Sequence, residues 1–234
     1  MATIVLAHGA WSGAWAWTRV RRLLAAAGHD VFTPTYTGLG ERSHLASRDT
    51  NLATHIQDVR NVLEFEDLRD VVLIGHSYGG MVATGVADHA HDRLARLIYL
   101  DAFVPADGRS LLDYVPPEAR ERMRRSATEG DGWRVAPNPP PADTSPADVE
   151  WVTRLRRPHP LACFEQPIRL HGPLPPPRAY IQCMRYADKG PFGQFAAQAK
   201  GAAGWQSFEI DASHSPNVTA PEALTALLQG ILAG

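Results

Sequence analysis

Cysteine is scarce in this chain. Its 234 residues include only Cys163 and Cys183, and their spacing suits neither a redox pair nor a metal site. Both read as free thiols in a reducing compartment, and no metal is expected. Excess charge of one sign is lacking as well. Lys and Arg total 23 against 25 Asp and Glu, a formal net charge of -2 with a pI near 6.5. With no basic stripe, this argues against nucleic acid or an anionic membrane surface as a partner. Long apolar runs are absent too, and none approaches the ~18 residues a membrane helix needs. The first residues, Met1 to Gly9, have neither a basic start nor a cleavable apolar segment, so the expected location is cytoplasmic. There are no internal repeats.

What is present is an alternation of short apolar runs and helical patterns, in a chain long enough for one sizeable core. Ile4 to Ala7 reads as a buried strand broken by His8-Gly9-Ala10-Trp11-Ser12-Gly13. Trp15 to Ala27 has helical spacing with Gly28 as its stop. A second strand is expected over Asp30 to Tyr36, and a helix capped by Asn51 runs to about Phe65. Strands follow at Asp70 to Ile74 and Arg93 to Leu100. Later come a strand at Arg178 to Met184, a helix near Phe192 to Ala203, a strand at Trp205 to Ile210, and a last helix from Pro221 with Thr219 as N-cap. Strand and helix alternate throughout, so the sheet should be parallel and covered on both faces. Residues 105–177 break the pattern with proline and arginine, with short helical pieces around Glu118–Arg125 and Ala147–Arg154. Trp133, Trp151, Leu155, Phe164 and Ile168 give this stretch something to bury. It reads as an inserted cap on a core made of 1–104 and 178–234.

Chemistry concentrates at Gly75-His76-Ser77-Tyr78-Gly79-Gly80, a G-x-S-x-G turn between an apolar strand and a packed helix. Such a turn lifts a serine hydroxyl above the end of a parallel strand. A serine needs a neighbouring base, and the base needs a third group to hold its tautomer. In this class the order along the chain is serine, acid, histidine. His214, between the last strand and the last helix, occupies the place of the base, whereas His44, His55, His89 and His91 read as surface or loop residues. Two aspartates satisfy the order for the acid. Asp101 closes the strand after the serine helix and Asp188 follows the next strand; the strand-end position favours Asp101. Oxyanion donors are expected from the backbone N–H groups of Tyr78, at a helix N-terminus, and Ala10, in the small-residue loop after the first strand. Gly9, Trp11 and His76 are expected around the substrate pocket.

Together, His8 to Trp17 and Gly75 to Gly80 resemble the α/β-hydrolase branch of plant methyl-salicylate-type esterases, plant hydroxynitrile lyases and bacterial carboxylesterases. The resemblance extends over Thr37 to Arg42 and Asp101 to Pro105 and resumes near His214. It implies an α/β-hydrolase fold, a mostly parallel sheet flanked by helices, with a small cap between the strand ending at Asp101 and the strand starting near Arg178. It also implies a Ser-His-Asp site without a cofactor, acting on a small-molecule ester. The lyases of this branch carry a threonine after the first-strand histidine and a lysine after the catalytic one; here Gly9 and Ser215 stand there, which favours ester hydrolysis. A lyase, a C–C bond hydrolase, a cyclase or thioesterase, and a non-catalytic small-molecule binding protein are the rival readings. A homodimer is left open.

Overall fold

The computed structural model describes every residue except 173, 175, 176 and 188. The sheet grows outward from its apolar strands. β1 (Thr3–Ala7) pairs with both β2 (Asp30–Phe32) and β3 (Val71–His76), and β3 pairs with β4 (Leu94–Leu100). Beyond β4 lie β7 (Arg178–Cys183) and β8 (Trp205–Ile210), giving the order β2-β1-β3-β4-β7-β8 with each pairing parallel. Side chains alternate across the sheet. Ile4, Leu6, Ile74, Ile98 and Leu100 bury against Trp17, which caps α1 (Thr18–Ala26), Leu24 of that helix, and Leu228 and Ile231 of α9 (Pro221–Ala233). Val5, Leu73, Leu97, Tyr99 and Tyr180 bury against the opposite layer of α2 (Leu52–Phe65), α3 (Gly79–His89) and α7 (Gly193–Ala199). Both faces are therefore covered, as continuous apolar strands require.

Parallel strands all end on one side, so Gly9, Ser77, Asp101 and His214 emerge from the same edge. Over that edge lies the chain between β4 and β7. It carries α4 (Pro117–Glu129), β5 (Arg134–Val135), α5 (Pro146–Leu155), β6 (His159–Pro160) and α6 (Ala162–Glu165). β5 and β6 form a separate antiparallel pair, with Val135 opposite His159.

Local chemistry explains where expectation and structure part. β2 stops at Phe32 because Pro34 has no N–H for the ladder, and the Tyr36 N–H turns instead to His8 Nε2 at 3.2 Å. α7 ends at Ala199, short of the expected Ala203, just before Gly201 at φ +80°. Thr219 is not the cap of the last helix. It closes a short preceding turn, α8 (Pro216–Thr219), where its hydroxyl donates to the Ser215 carbonyl at 3.2 Å, and Ala220 takes the N-cap of α9. Asn51 does cap α2, its side chain accepting from the Thr54 N–H at 3.2 Å.

Candidate active site

At the end of β3 the chain reverses into α3 through Ser77, whose φ of +56° lies in the left-handed region that L side chains rarely adopt. The glycines around it permit the turn. A Cβ on Gly75 would come 2.6 Å from the Gly79 carbonyl oxygen, and Cβ atoms on Gly79 and Gly80 would collide with the carbonyl oxygens of Ala7 and Phe103. The Ser77 carbonyl accepts from the N–H groups of Gly80 (3.0 Å) and Phe103 (3.2 Å), which fixes the bend from two sides.

Asp101 stands immediately after β4, 1% exposed and at φ +42°. Its Oδ1 accepts from the Cys183 N–H at 3.3 Å, and its Oδ2 accepts from His214 Nδ1 at 2.6 Å. His214 Nε2 lies 3.0 Å from Ser77 Oγ. With Nδ1 donating to the carboxylate, Nε2 offers a lone pair to the serine hydroxyl. Asp188, the other candidate acid, lies outside the described residues. The imidazole of His214 stacks on Phe192 at 4.7 Å with planes 9° apart, and its carbonyl accepts from His76 Nε2–H at 2.7 Å. Burial, reinforced by the nearby His214, lowers the His76 pKa to about 3, so His76 is a neutral clamp on the loop that bears His214.

The loop after β1 is held by a second neutral imidazole. Burial lowers the His8 pKa to about 3; its Nδ1–H donates to the Gly9 carbonyl at 2.8 Å while Nε2 accepts from Tyr36. In a trans peptide the carbonyl and the next N–H point opposite ways, so pulling the Gly9 oxygen toward the core turns the Ala10 N–H outward. The Tyr78 N–H opens α3. Neither the Ala10 nor the Tyr78 amide finds a hydrogen-bond acceptor among the described residues. Gly9 comes close beside them: a Cβ there would sit 3.1 Å from His76 Nδ1 and 3.2 Å from Ser77 Cβ.

Gly9, Ala10, Trp11, His76, Ser77, Tyr78 and His214 all border one cavity of about 890 Å³, whose far wall includes Phe103, Leu111, Tyr114, Val115 and Met123. A cavity of this size and lining suits a small or medium apolar guest held by few polar groups.

Residues 4–227 match the alpha/beta hydrolase family. The chain belongs to that family. A carbendazim hydrolyzing esterase of a Nocardioides species is 39% identical to it, over 99% of this chain and all of that one. Methylesterase 2 of Arabidopsis thaliana is 29% identical over 55% of the chain and 48% of its own length. An extracellular alpha/beta-hydrolase from a Paenibacillus species, described as sharing homology with tobacco salicylic acid binding protein 2, superposes with a TM-score of 0.87 at 25% identity, covering 98% of each chain.

Sequence reasoning about this alpha/beta hydrolase misplaced one histidine. His55 is not a surface residue; it is fully buried, because it follows Leu52 by three positions and precedes Val59 by four on the inward face of α2. Its Nε2–H donates to the Thr37 carbonyl at 3.0 Å, and its Nδ1 accepts from the Tyr78 hydroxyl at 2.9 Å. The spacing was the available signal. His55, His159 and Cys163 also place potential ligand atoms within 4.8 Å of one another. Both His55 nitrogens are engaged, however, and burial pushes the Cys163 thiol far above its ordinary pKa, so this group packs as a neutral cluster.

Proposed function

We propose that this protein is a serine carboxylesterase that hydrolyses a small-to-medium hydrophobic ester through an acyl-enzyme on Ser77. One observation carries the reading: the unbroken contact chain from Asp101 Oδ2 through His214 to Ser77 Oγ, at 2.6 and 3.0 Å. His214 takes the hydroxyl proton as Ser77 attacks the ester carbonyl. Asp101 holds the imidazole tautomer and stabilises the imidazolium that forms. The negative oxygen develops beneath the Ala10 and Tyr78 amides, and donors already in place at that point are commonly worth about 3–4 kcal/mol of barrier each. His214 then returns the proton to the departing alcohol, and in the second half-reaction it activates water to release the acid. The inserted segment, read as a cap, sets which acyl and alcohol groups fit. The esterase relatives favour this reading over a binding role. Gly9 and Ser215 favour it over a lyase, because they supply neither the threonine hydroxyl nor the lysine cation that lyases of this branch carry at those positions.

The test combines labelling and turnover. A fluorophosphonate probe is expected to modify Ser77 in the folded protein and to leave Ser77→Ala unmodified. A panel of nitrophenyl and methyl esters, with carbendazim, cyanohydrins and β-diketones alongside, is expected to show turnover on esters. Turnover confined to cyanohydrins or diketones would assign a different reaction to the same residues, and ligand binding without any turnover would make the protein a receptor.

A further inference from the structure

Ala10 lies between two peptide planes, and a buried imidazole holds each of them. His8 holds the Gly9–Ala10 plane from the sheet side through the Gly9 carbonyl at 2.8 Å. The Ala10–Trp11 plane is held from the opposite side, where the Trp11 N–H donates to His159 Nδ1 at 3.2 Å. His159 belongs to β6, in the segment inserted between β4 and β7. That segment grips Trp11 at two further points: the indole N–H donates to the Val135 carbonyl at 2.9 Å, and the Trp11 carbonyl accepts from the Arg157 N–H at 3.2 Å. Val135 is also the cross-strand partner of His159, so two of the three contacts come from one small strand pair and the third from Arg157, two residues before His159. Trp11 needs such support, since its φ of +60° costs on the order of 1–3 kcal/mol unless the surroundings impose it.

The chemistry of His159 singles out the Nδ1 contact. An imidazole that accepts at Nδ1 carries its proton at Nε2. That Nε2 is buried and finds no partner among the described residues, an arrangement that costs on the order of 1–3 kcal/mol. The ring lies face to face with Phe164 at 4.5 Å and edge-on to Tyr78 at 4.8 Å, a packing that an apolar aromatic would fill without the orphaned donor. What only the imidazole supplies here is the acceptor for the Trp11 amide. Burial holds its pKa well below the ordinary histidine value, so the lone pair stays available at neutral pH.

We propose that His159 is a positioning residue of the oxyanion hole: by accepting from the Trp11 amide it locks the peptide plane after Ala10, as His8 locks the one before, so that the Ala10 N–H cannot swing away. The inserted segment then completes the catalytic apparatus as well as walling the cavity. This rests on the serine-esterase reading of Ser77.

The test uses two substitutions in the full chain. His159→Phe keeps the ring and its stacking but removes the acceptor, whereas His159→Asn places Oδ1 where Nδ1 was. On a nitrophenyl ester, the phenylalanine variant is expected to lose about 10- to 100-fold in kcat with KM within about threefold. The asparagine variant should retain activity within about fivefold of wild type. Affinity for a trifluoromethyl ketone, which forms a tetrahedral adduct on Ser77, should fall with kcat in the phenylalanine variant only. Full activity in His159→Phe, equal losses in both variants, or a change confined to KM would each overturn the proposal. If His159→Phe does not fold, nitrogen-15 NMR of labelled histidine in the wild-type protein decides. A protonated Nδ1 on His159 at pH 7 overturns the proposal, and an unprotonated Nδ1 that shifts when the ketone binds supports it. Wild-type protein that neither labels with fluorophosphonate nor turns over any ester would sink the esterase reading and this proposal together. Normal labelling with an unimpaired His159→Phe would sink this proposal alone.

Discussion

Backbone strain collects at the proposed chemistry. Among the described non-glycine residues with positive φ, Asp67 and Asp70 sit in the turn before β3, and the other three are Trp11, Ser77 and Asp101. Strain of this kind persists where the surrounding packing over-determines it, which is typical of functional sites. Ser77→Gly and Ser77→Ala both remove the hydroxyl, but only glycine is at ease at φ +56°. The glycine variant is expected to be about 1 kcal/mol more stable than the alanine variant in urea unfolding, with both inactive. Equal stabilities would show that the turn is unstrained. Asp101→Asn is expected to fold normally and lose about ten-thousandfold in kcat, because an amide in place of Oδ2 stabilises the wrong imidazole tautomer. Steady-state kinetics with melting curves separate that outcome from simple unfolding. Ser77 and His214 are legible in the sequence because a turn motif and a chain order announce them. The burial of His8, His55 and His159 is not, because each has a partner far along the chain, 28, 23 and 148 positions away, and no local pattern encodes such pairings.

At the scale of elements, the sequence is most readable where one local rule governs. β8 runs over Trp205–Ile210 as its apolar pattern suggests, and α2 begins after Asn51 because the side-chain cap is a local device. Reading fails where tertiary contacts decide. β2 gives up its last residues to a hydrogen bond with His8, and Thr219 is drawn into a turn of its own. The junction of β3 and α3 shows how closely elements must meet to present Ser77. Gly80 lies against the Phe103 carbonyl just after β4, so a methyl there forces helix and loop apart. Gly80→Ala is expected to cost about 1–3 kcal/mol of stability by overpacking and to lower kcat by displacing Ser77 from His214. Chemical unfolding and kinetics on the same preparation measure both. An alanine variant with wild-type stability and rate would mean that the junction is looser than its geometry implies.

Taken as a whole, the molecule packs a set of uncharged histidines around its site. His8, His55 and His76 have pKa values lowered to about 3 by burial, and that of His159 is also well below its ordinary value. In the unfolded chain each would titrate near 6.5. Above that pH neither state binds the proton and the groups are neutral in the balance. Below it, the unfolded chain takes up protons that the folded protein refuses, so stability falls as pH falls. Each of the first three histidines contributes a slope of about 1.4 kcal/mol per pH unit between roughly 6.5 and 3. By pH 5 the three together remove about 6 kcal/mol, comparable with the whole stability of many domains. Paired carboxylates do not confuse this window. Arg19 holds Asp148 below its ordinary pKa, but the stabilisation from such a pair is lost only once the pH falls below about 4. Urea midpoints measured from pH 8 to 5 are therefore expected to be flat above about 7 and to drop steeply below 6.5. His55→Gln, which keeps a polar group on α2 but cannot titrate, should flatten that drop by about a quarter, since His159 shares it with the other three, even if it lowers stability at pH 8. An unchanged slope in that variant would mean that His55 accepts a proton in the folded protein, and that the core around Tyr78 admits water.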